Sequence, residues 1–187
     1  AQVAGCTDQN SSNYNPIATI DDGSCSTSVS NSNLAVSCAA PFNTPESLVE
    51  LLLGQDMEYS NVTFSGFDCS AGFFSGASNL DFPSGLVMAT NGIESVYPGG
   101  FGGAFDGYES DPDLVQQLQM VNATNTDLTN LIVLEFDFVP NTDVLIFNYI
   151  FASNEYSSYT CSQFNDIFGF FLSGPGINGV FTNNAEN

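Results

Sequence analysis

The sequence predicts a mainly β chain: sandwich-like antiparallel sheets with two short helices, preceded by a small unit bracketed by cysteines. Three observations carry this. Short apolar runs alternate with polar residues at period two and end at Pro, Asn, Asp or Gly, as half-buried strands do. Only two segments carry a helix start, each a capping side chain followed directly by Pro. And the first 26 residues, closed by Cys6 and Cys25, are too polar to hold a core of their own.

Taken in order, residues 1–26 form the cysteine-bracketed unit, 27–33 are a polar linker without periodicity, and 34–187 are the main β-rich domain. Thr44-Pro45-Glu46 opens the first helix with a hydroxyl cap, Pro at its first position and an acid in its first turn; Leu48, Leu51 and Leu52 form its stripe and Gly54 its stop. Tyr59, Val62 and Phe64 then read as a strand ending at Ser65-Gly66. Phe73 and Phe74 follow, and Gly85 to Thr90 reads as a buried strand ended by Asn91-Gly92. The glycine-rich stretch 92–107 lacks the strand-to-helix context and the cation of a phosphate cradle, so it reads as a surface loop. Asp111-Pro112 opens the second helix, which runs through Met120 with Leu114 and Leu118 on one side.

The densest β signal comes next. In 131–139, Ile132, Leu134, Phe136 and Phe138 share one face and Glu135 and Asp137 the other. Pro140-Asn141-Thr142-Asp143 reads as a turn, and 144–152 returns with Leu145, Phe147, Tyr149 and Phe151 in phase, so the sequence predicts a hairpin with one apolar face. A third strand over 167–173, with Phe168, Phe170 and Leu172 aligned, ends at Gly174-Pro175-Gly176. With 43% hydrophobic residues, 17 Phe and 7 Tyr, a core of ordinary size is feasible. No apolar run approaches the roughly 18 residues of a membrane span, so membrane insertion is not expected.

Charge narrows the function further. The chain has no Lys, Arg or His against 21 Asp and Glu. Side-chain salt bridges cannot form, and a carboxylate must rely on backbone donors, hydroxyls, amides or a bound cation. Nothing can neutralise phosphates, which excludes nucleic acid and anionic membrane surfaces as partners. Catalysis through imidazole, a lysine amine or an arginine clamp is excluded as well. Glu135 and Asp137 have the spacing of two acids on an ordinary exposed strand face, so the chain is read as non-enzymatic.

Oxygen ligands cluster in three places, and calcium is the expected cofactor because it takes six to eight oxygens in flexible geometry. In the N-terminal unit they are Asp8, Asn13, Asn15, Asp21 and Asp22, beside the Gly23 turn. The competing reading there is a segment of Asx turns held by the Cys6–Cys25 closure, worth about 3 kcal/mol on a chain-entropy basis. Asp106, Glu109, Asp111 and Asp113 form a second group, although acids at a helix start are favoured by its dipole without a metal. Glu155 and Asp166 bracket the third, where satisfying backbone groups at strand ends is the alternative. With no His and no CxxC spacing, the five cysteines suit disulfides in an oxidising compartment. Cys38 and Cys69 flank the first helix and first strand and are paired, leaving Cys161 unpaired or with a partner outside the chain.

Two resemblances follow from quoted motifs. GCTD, NYNP and IDDGSC in the N-terminal unit resemble the short cysteine-bracketed acidic repeat of secreted Bacteroidetes-type proteins. PESLVELLLG, SGLVMATNG, LEFDFVP, FNYIFASNEY and FNDIFGFFLSGPG resemble, in that order, the bacterial extracellular module called the choice-of-anchor L domain. That resemblance implies a β-rich sandwich-like fold, export through a removed signal peptide and an extracellular or cell-surface location; it carries no catalytic residues. In the family pattern further strands follow the SGPG motif, whereas this sequence stops at Asn187. The missing strands are therefore expected in a longer chain or from a neighbouring subunit by strand addition. The expected function is a structural module of a bacterial cell surface, a subunit of a polymeric fibre stabilised by calcium and disulfides, whose partners are copies of itself or other surface proteins. The alternative is a calcium-dependent adhesin domain recognising surface glycans or another protein through loops such as 97–108.

Overall fold

The computed structural model describes residues 3–7, 15, 17–24, 34–54, 56–76, 83–96, 108–121, 123–153, 159 and 166–187. Its architecture is mainly β, with antiparallel pairs and two helices. The chain divides into two compact units, 1–35 with 74–85, and 36–73 with 86–187.

In the first unit Ala4–Gly5 (β1) and Ile20–Asp21 (β2) pair in parallel, Ala4 opposite Ile20 and Gly5 opposite Asp21. Such short strands need help. Thr19 supplies it, donating its N–H to the Val3 carbonyl at 2.8 Å while its Oγ1 accepts the Val3 N–H at 3.0 Å. Asn15 donates to the Cys6 carbonyl at 2.9 Å and packs so closely on Gly5 that a Cβ there would sit 2.9 Å from Asn15 Nδ2. Cys6 is buried and disulfide-bonded.

Ala35–Ser37 (β3), Ala71–Ser75 (β5) and Ser84–Met88 (β6) form a three-stranded sheet in the order β3-β5-β6. Between the first two of these in sequence lies Pro45–Leu53 (α1). Its ends are as the sequence dictates. Thr44 Oγ1 accepts the Ser47 N–H and Ser47 Oγ accepts the Thr44 N–H, both at 3.2 Å, a reciprocal capping box. Gly54 at φ 74° closes the helix, donating to the Glu50 carbonyl at 2.9 Å. The buried residues are Leu48 and Val49; of the expected stripe of Leu48, Leu51 and Leu52, Leu48 is buried, Leu51 half-buried and Leu52, in the last turn, exposed.

Helix α1 lies against Glu58–Ser65 (β4), where Tyr59 donates its hydroxyl to Glu50 Oε1 at 2.9 Å. That bond favours the neutral phenol and raises the Tyr59 pKa above its usual value. β4 pairs antiparallel with Val133–Val139 (β9), Tyr59 opposite Phe138 and Phe64 opposite Leu134. The register shifts between Ser60 and Thr63, where Asn61 adopts φ 52° and forms a bulge. On the solvent face Asn61 Nδ2 donates to Asp137 Oδ2 at 2.6 Å and Thr63 Oγ1 to Glu135 Oε2 at 3.4 Å. An amide and a hydroxyl thus do what basic residues would do elsewhere.

The predicted hairpin is corrected here. β9 finds its ladder in β4, some 70 residues upstream, and 144–152 carries no strand ladder among the described residues. The alternation within β9 was legible; its partner was not, because the apolar face of β4, Tyr59, Val62 and Phe64, is interrupted by the bulge and lies far away in sequence.

Ile93–Val96 is a 3₁₀ turn following Gly92 at φ 85°, and it plants Ile93 in the core. The Ile93 N–H donates to the Cys69 carbonyl at 2.8 Å, and its Cδ1 would meet a Cβ on Gly72 at 2.9 Å. Cys69 is bonded to Cys38, with Cα atoms 5.3 Å apart. The adjacent Ser70 is fully buried, and its Oγ has no hydrogen-bond partner among the described residues. Removing a buried hydroxyl left unsatisfied relieves desolvation cost. Ser70→Ala is therefore expected to leave stability unchanged or to raise it by about 1 kcal/mol in urea melts, and a loss of more than that would reveal a bond to the hydroxyl.

Tyr108–Glu109 (β7) pairs antiparallel with Leu128–Thr129 (β8) on either side of Pro112–Met120 (α2). Asp111 caps α2 through one oxygen that accepts the Asp113 and Leu114 N–H groups at 3.0 and 2.8 Å. Leu118 is the buried face of this helix, with Leu114 half-buried beside it in phase.

Candidate functional site

The described oxygen-bearing residues singled out in the sequence accept hydrogen bonds from within the chain. Asn15 Oδ1 accepts the Ile17 N–H at 3.1 Å, Asp21 Oδ1 the Gly23 N–H at 2.9 Å, and Asp22 Oδ1 the Ser24 N–H at 2.9 Å. These are Asx turns. Hydrogen bonds from the Ser24 side chain and N–H hold the Asp22 carboxyl below the usual carboxylate range. In the second group Glu109 Oε2 accepts the Leu131 N–H, Asp111 caps α2, and Asp113 Oδ1 accepts both the N–H and the hydroxyl of Thr182 at 2.8 Å. In the third, Asp166 Oδ2 accepts the Ser153 hydroxyl at 2.7 Å. Among the described residues no three His, Cys, Asp or Glu side chains gather as a metal would require. Asp8, Asn13, Cys25, Asp106, Glu155, Cys161 and the 97–107 part of the aromatic loop lie outside the described residues.

A different arrangement draws the eye to the segment read as core. Residues 144–153 and 166–172 run side by side in opposite directions, as their side-chain pairs show. Phe147 meets Phe170 with ring centroids 4.4 Å apart, Tyr149 meets Phe168 at 5.5 Å, and Ser153 meets Asp166. Phe151 also reaches Phe168, at 6.4 Å. All of these residues share the parity that puts alternate side chains of an extended chain on one face. The strip is not covered: Tyr149 is 68% exposed, Phe151 52% and Phe168 47%. Val144, Ile146 and Ile150, of the opposite parity, are exposed too.

The second segment is held from behind. Ile167, Gly169 and Phe171 are half-buried, and a Cβ on Gly169 would meet Leu114 Cδ2 of α2 at 3.0 Å. Phe171 packs edge-on against Phe181 at 4.8 Å, and Leu172 exchanges both backbone bonds with Glu186 at 2.9 and 3.0 Å. The stretch after the Gly174 turn is in turn fixed to α2: Thr182 on Asp113, and Gln116 Nε2 donating to the Val180 carbonyl at 3.1 Å. Gly179 must be glycine, because a Cβ would lie 1.8 Å from the Ala185 carbonyl oxygen.

Between the strip and the C-terminal end of α2 opens a cleft of about 650 Å³, lined by Tyr149, Phe151, Asp166 and Phe168 on one side and by Gln117 and Val121 on the other. Sequence reasoning missed it. The i, i+2 spacing of its rings was plain, but aromatic alternation is the signature of a buried face and of an exposed one alike.

The order of motifs along this framework agrees with a family model, that of the choice-of-anchor L domain, which matches residues 37–187. The chain belongs to this family. Residues 1–36 precede the match, so the cysteine-bracketed repeat is outside it. No curated protein and no solved structure matches the chain. As a choice-of-anchor L domain the chain is a surface-associated module of a bacterial protein. Among the described residues no helix is long and apolar enough to cross a membrane.

Proposed function

We propose that this choice-of-anchor L domain is a non-enzymatic structural module that assembles with other copies into an extracellular fibre by strand addition. One observation carries the reading. Segments 144–153 and 166–172 lie side by side and are rich in apolar residues; 144–151 is exposed on both parities, 166–172 on one, and 144–153 has no strand ladder among the described residues. Extended backbone of this kind is a template for a further strand, and apolar faces of this breadth mark association surfaces. The carboxylate content supports the accompanying role of calcium, with the N-terminal unit as its seat. Cations also answer the main obstacle to assembly, since subunits of net charge −21 repel one another.

Electron microscopy of the purified chain at high concentration tests this. Filaments are expected in calcium and physiological salt, fewer at low ionic strength, and none after Ile146→Lys, which places a charge on the exposed face. Dispersed monomers under every condition would sink the assembly reading. In the same samples chelation is expected to lower the melting temperature by several degrees, and an unchanged value would remove calcium from the account.

A further inference from the structure

We propose that the cleft between the aromatic strip and α2 receives a cationic side chain from a basic polypeptide partner. The inference stands apart from assembly, because it concerns the open aromatic face of the strip and not the backbone of 144–152 beside it.

Four features of the cleft favour positive charge and disfavour the other classes of occupant. Tyr149, Phe151 and Phe168 are exposed to solvent, and an aromatic face carries negative potential that attracts an ammonium or guanidinium group. Asp166 lies two residues from Phe168 on the same side of an extended segment, and the Ser153 hydroxyl at 2.7 Å orients its carboxylate. The opposite wall is the C-terminal end of α2, the negative end of the helix dipole, and this helix has no basic residue in its last turn to balance it. Finally, the whole chain has 21 acids and no base, so its field draws cations toward the surface and repels anions.

The same composition identifies what the occupant is not. A second copy of residues 1–187 has no Lys, Arg or His side chain to offer, so the cation comes from a polypeptide segment outside them. A purely apolar segment would satisfy the rings but would bury the Asp166 charge and the helix end without a counter-charge. A neutral saccharide can stack on such rings, but it gains nothing from the net charge. A basic polypeptide gains from all four: its aliphatic stem covers the rings while its charged head meets the carboxylate.

The test is a titration of the intact chain with an end-blocked tetralysine peptide at physiological salt, followed by heteronuclear NMR. The largest shifts are expected at Gln117, Tyr149 and Phe168. Tyr149→Ala and Asp166→Asn should each weaken the peptide's affinity roughly threefold to tenfold, whereas Tyr149→Phe, which keeps the ring, should retain it. Glu58→Gln removes an exposed acid on β4 and should leave the affinity unchanged. Tyr149 and Asp166 are both exposed, so neither substitution empties the core. Equal losses for Glu58→Gln and Asp166→Asn would reduce the binding to diffuse attraction and overturn the proposal. It would equally fall if a neutral oligosaccharide moved these resonances and tetralysine did not.

Discussion

Replacing Cys38 and Cys69 together by serine is expected to destabilise the chain by about 3–4 kcal/mol. The bond closes a loop with a sequence separation of 31 residues, and cross-linking a loop of that length removes roughly this much conformational freedom from the unfolded chain. The enclosed segment contains α1 and β4, whose joint burial rests on a short stripe, Leu48 and Val49. Without the bond, α1 is held to the rest by that stripe and the Tyr59–Glu50 hydrogen bond alone among those named. For a domain of this size the loss corresponds to a fall of about 10 °C in melting temperature. Thermal melts of the double variant, compared with wild type without reductant, measure it; a fall under about 2 °C would show that packing alone fixes the segment.

Ile93→Ala is expected to cost about 2–5 kcal/mol, the range for emptying a buried aliphatic site. Ile93 is 1% exposed, and it is wedged against Gly72 of β5 while its N–H holds the Cys69 carbonyl. The surrounding sheet is fixed by the disulfide next door, so the cavity has little room to collapse. Because Ile93 and Cys69 touch through a backbone bond, the two perturbations should not add. A double-mutant cycle in urea should show coupling of at least about 0.5 kcal/mol, and strict additivity would place Ile93 and the disulfide in separate cooperative regions.

These residues also mark where sequence reading reached and where it stopped. Both helices were legible, because Thr44-Pro45 and Asp111-Pro112 are local signals answered by local hydrogen bonds. The alternation of β4 and β9 was legible for the same reason, and so was the Cys38–Cys69 bond. Ladder partners were not, since Ile132, Leu134 and Phe136 suit any apolar neighbour and the nearest in sequence was not the one chosen. Ile93 sat at the mouth of a glycine-rich stretch and gave no periodic cue, although Gly92 at φ 85° is what turns it inward. The acids Glu109, Asp111 and Asp113 were visible as a cluster, but the donors that occupy them, on Leu131, Leu114 and Thr182, come from as far as 69 residues away. Most of the aromatic cleft was in view as residues and hidden as a surface.

The ring-on-ring seam between 144–153 and 166–172 has a thermodynamic consequence. Straightening a flexible segment so that it can accept a neighbouring strand ordinarily sacrifices about 1–2 kcal/mol of backbone freedom per residue. Here Phe147 on Phe170 and Tyr149 on Phe168 have already done the straightening within the monomer. In the proposed strand addition only the incoming chain would need ordering, so association would begin from a receptor pre-shaped on one side. Amide hydrogens of 144–152, which have no ladder among the described residues, should exchange with solvent far faster than those of β4 and β9, and should slow if the proposed strand is seated.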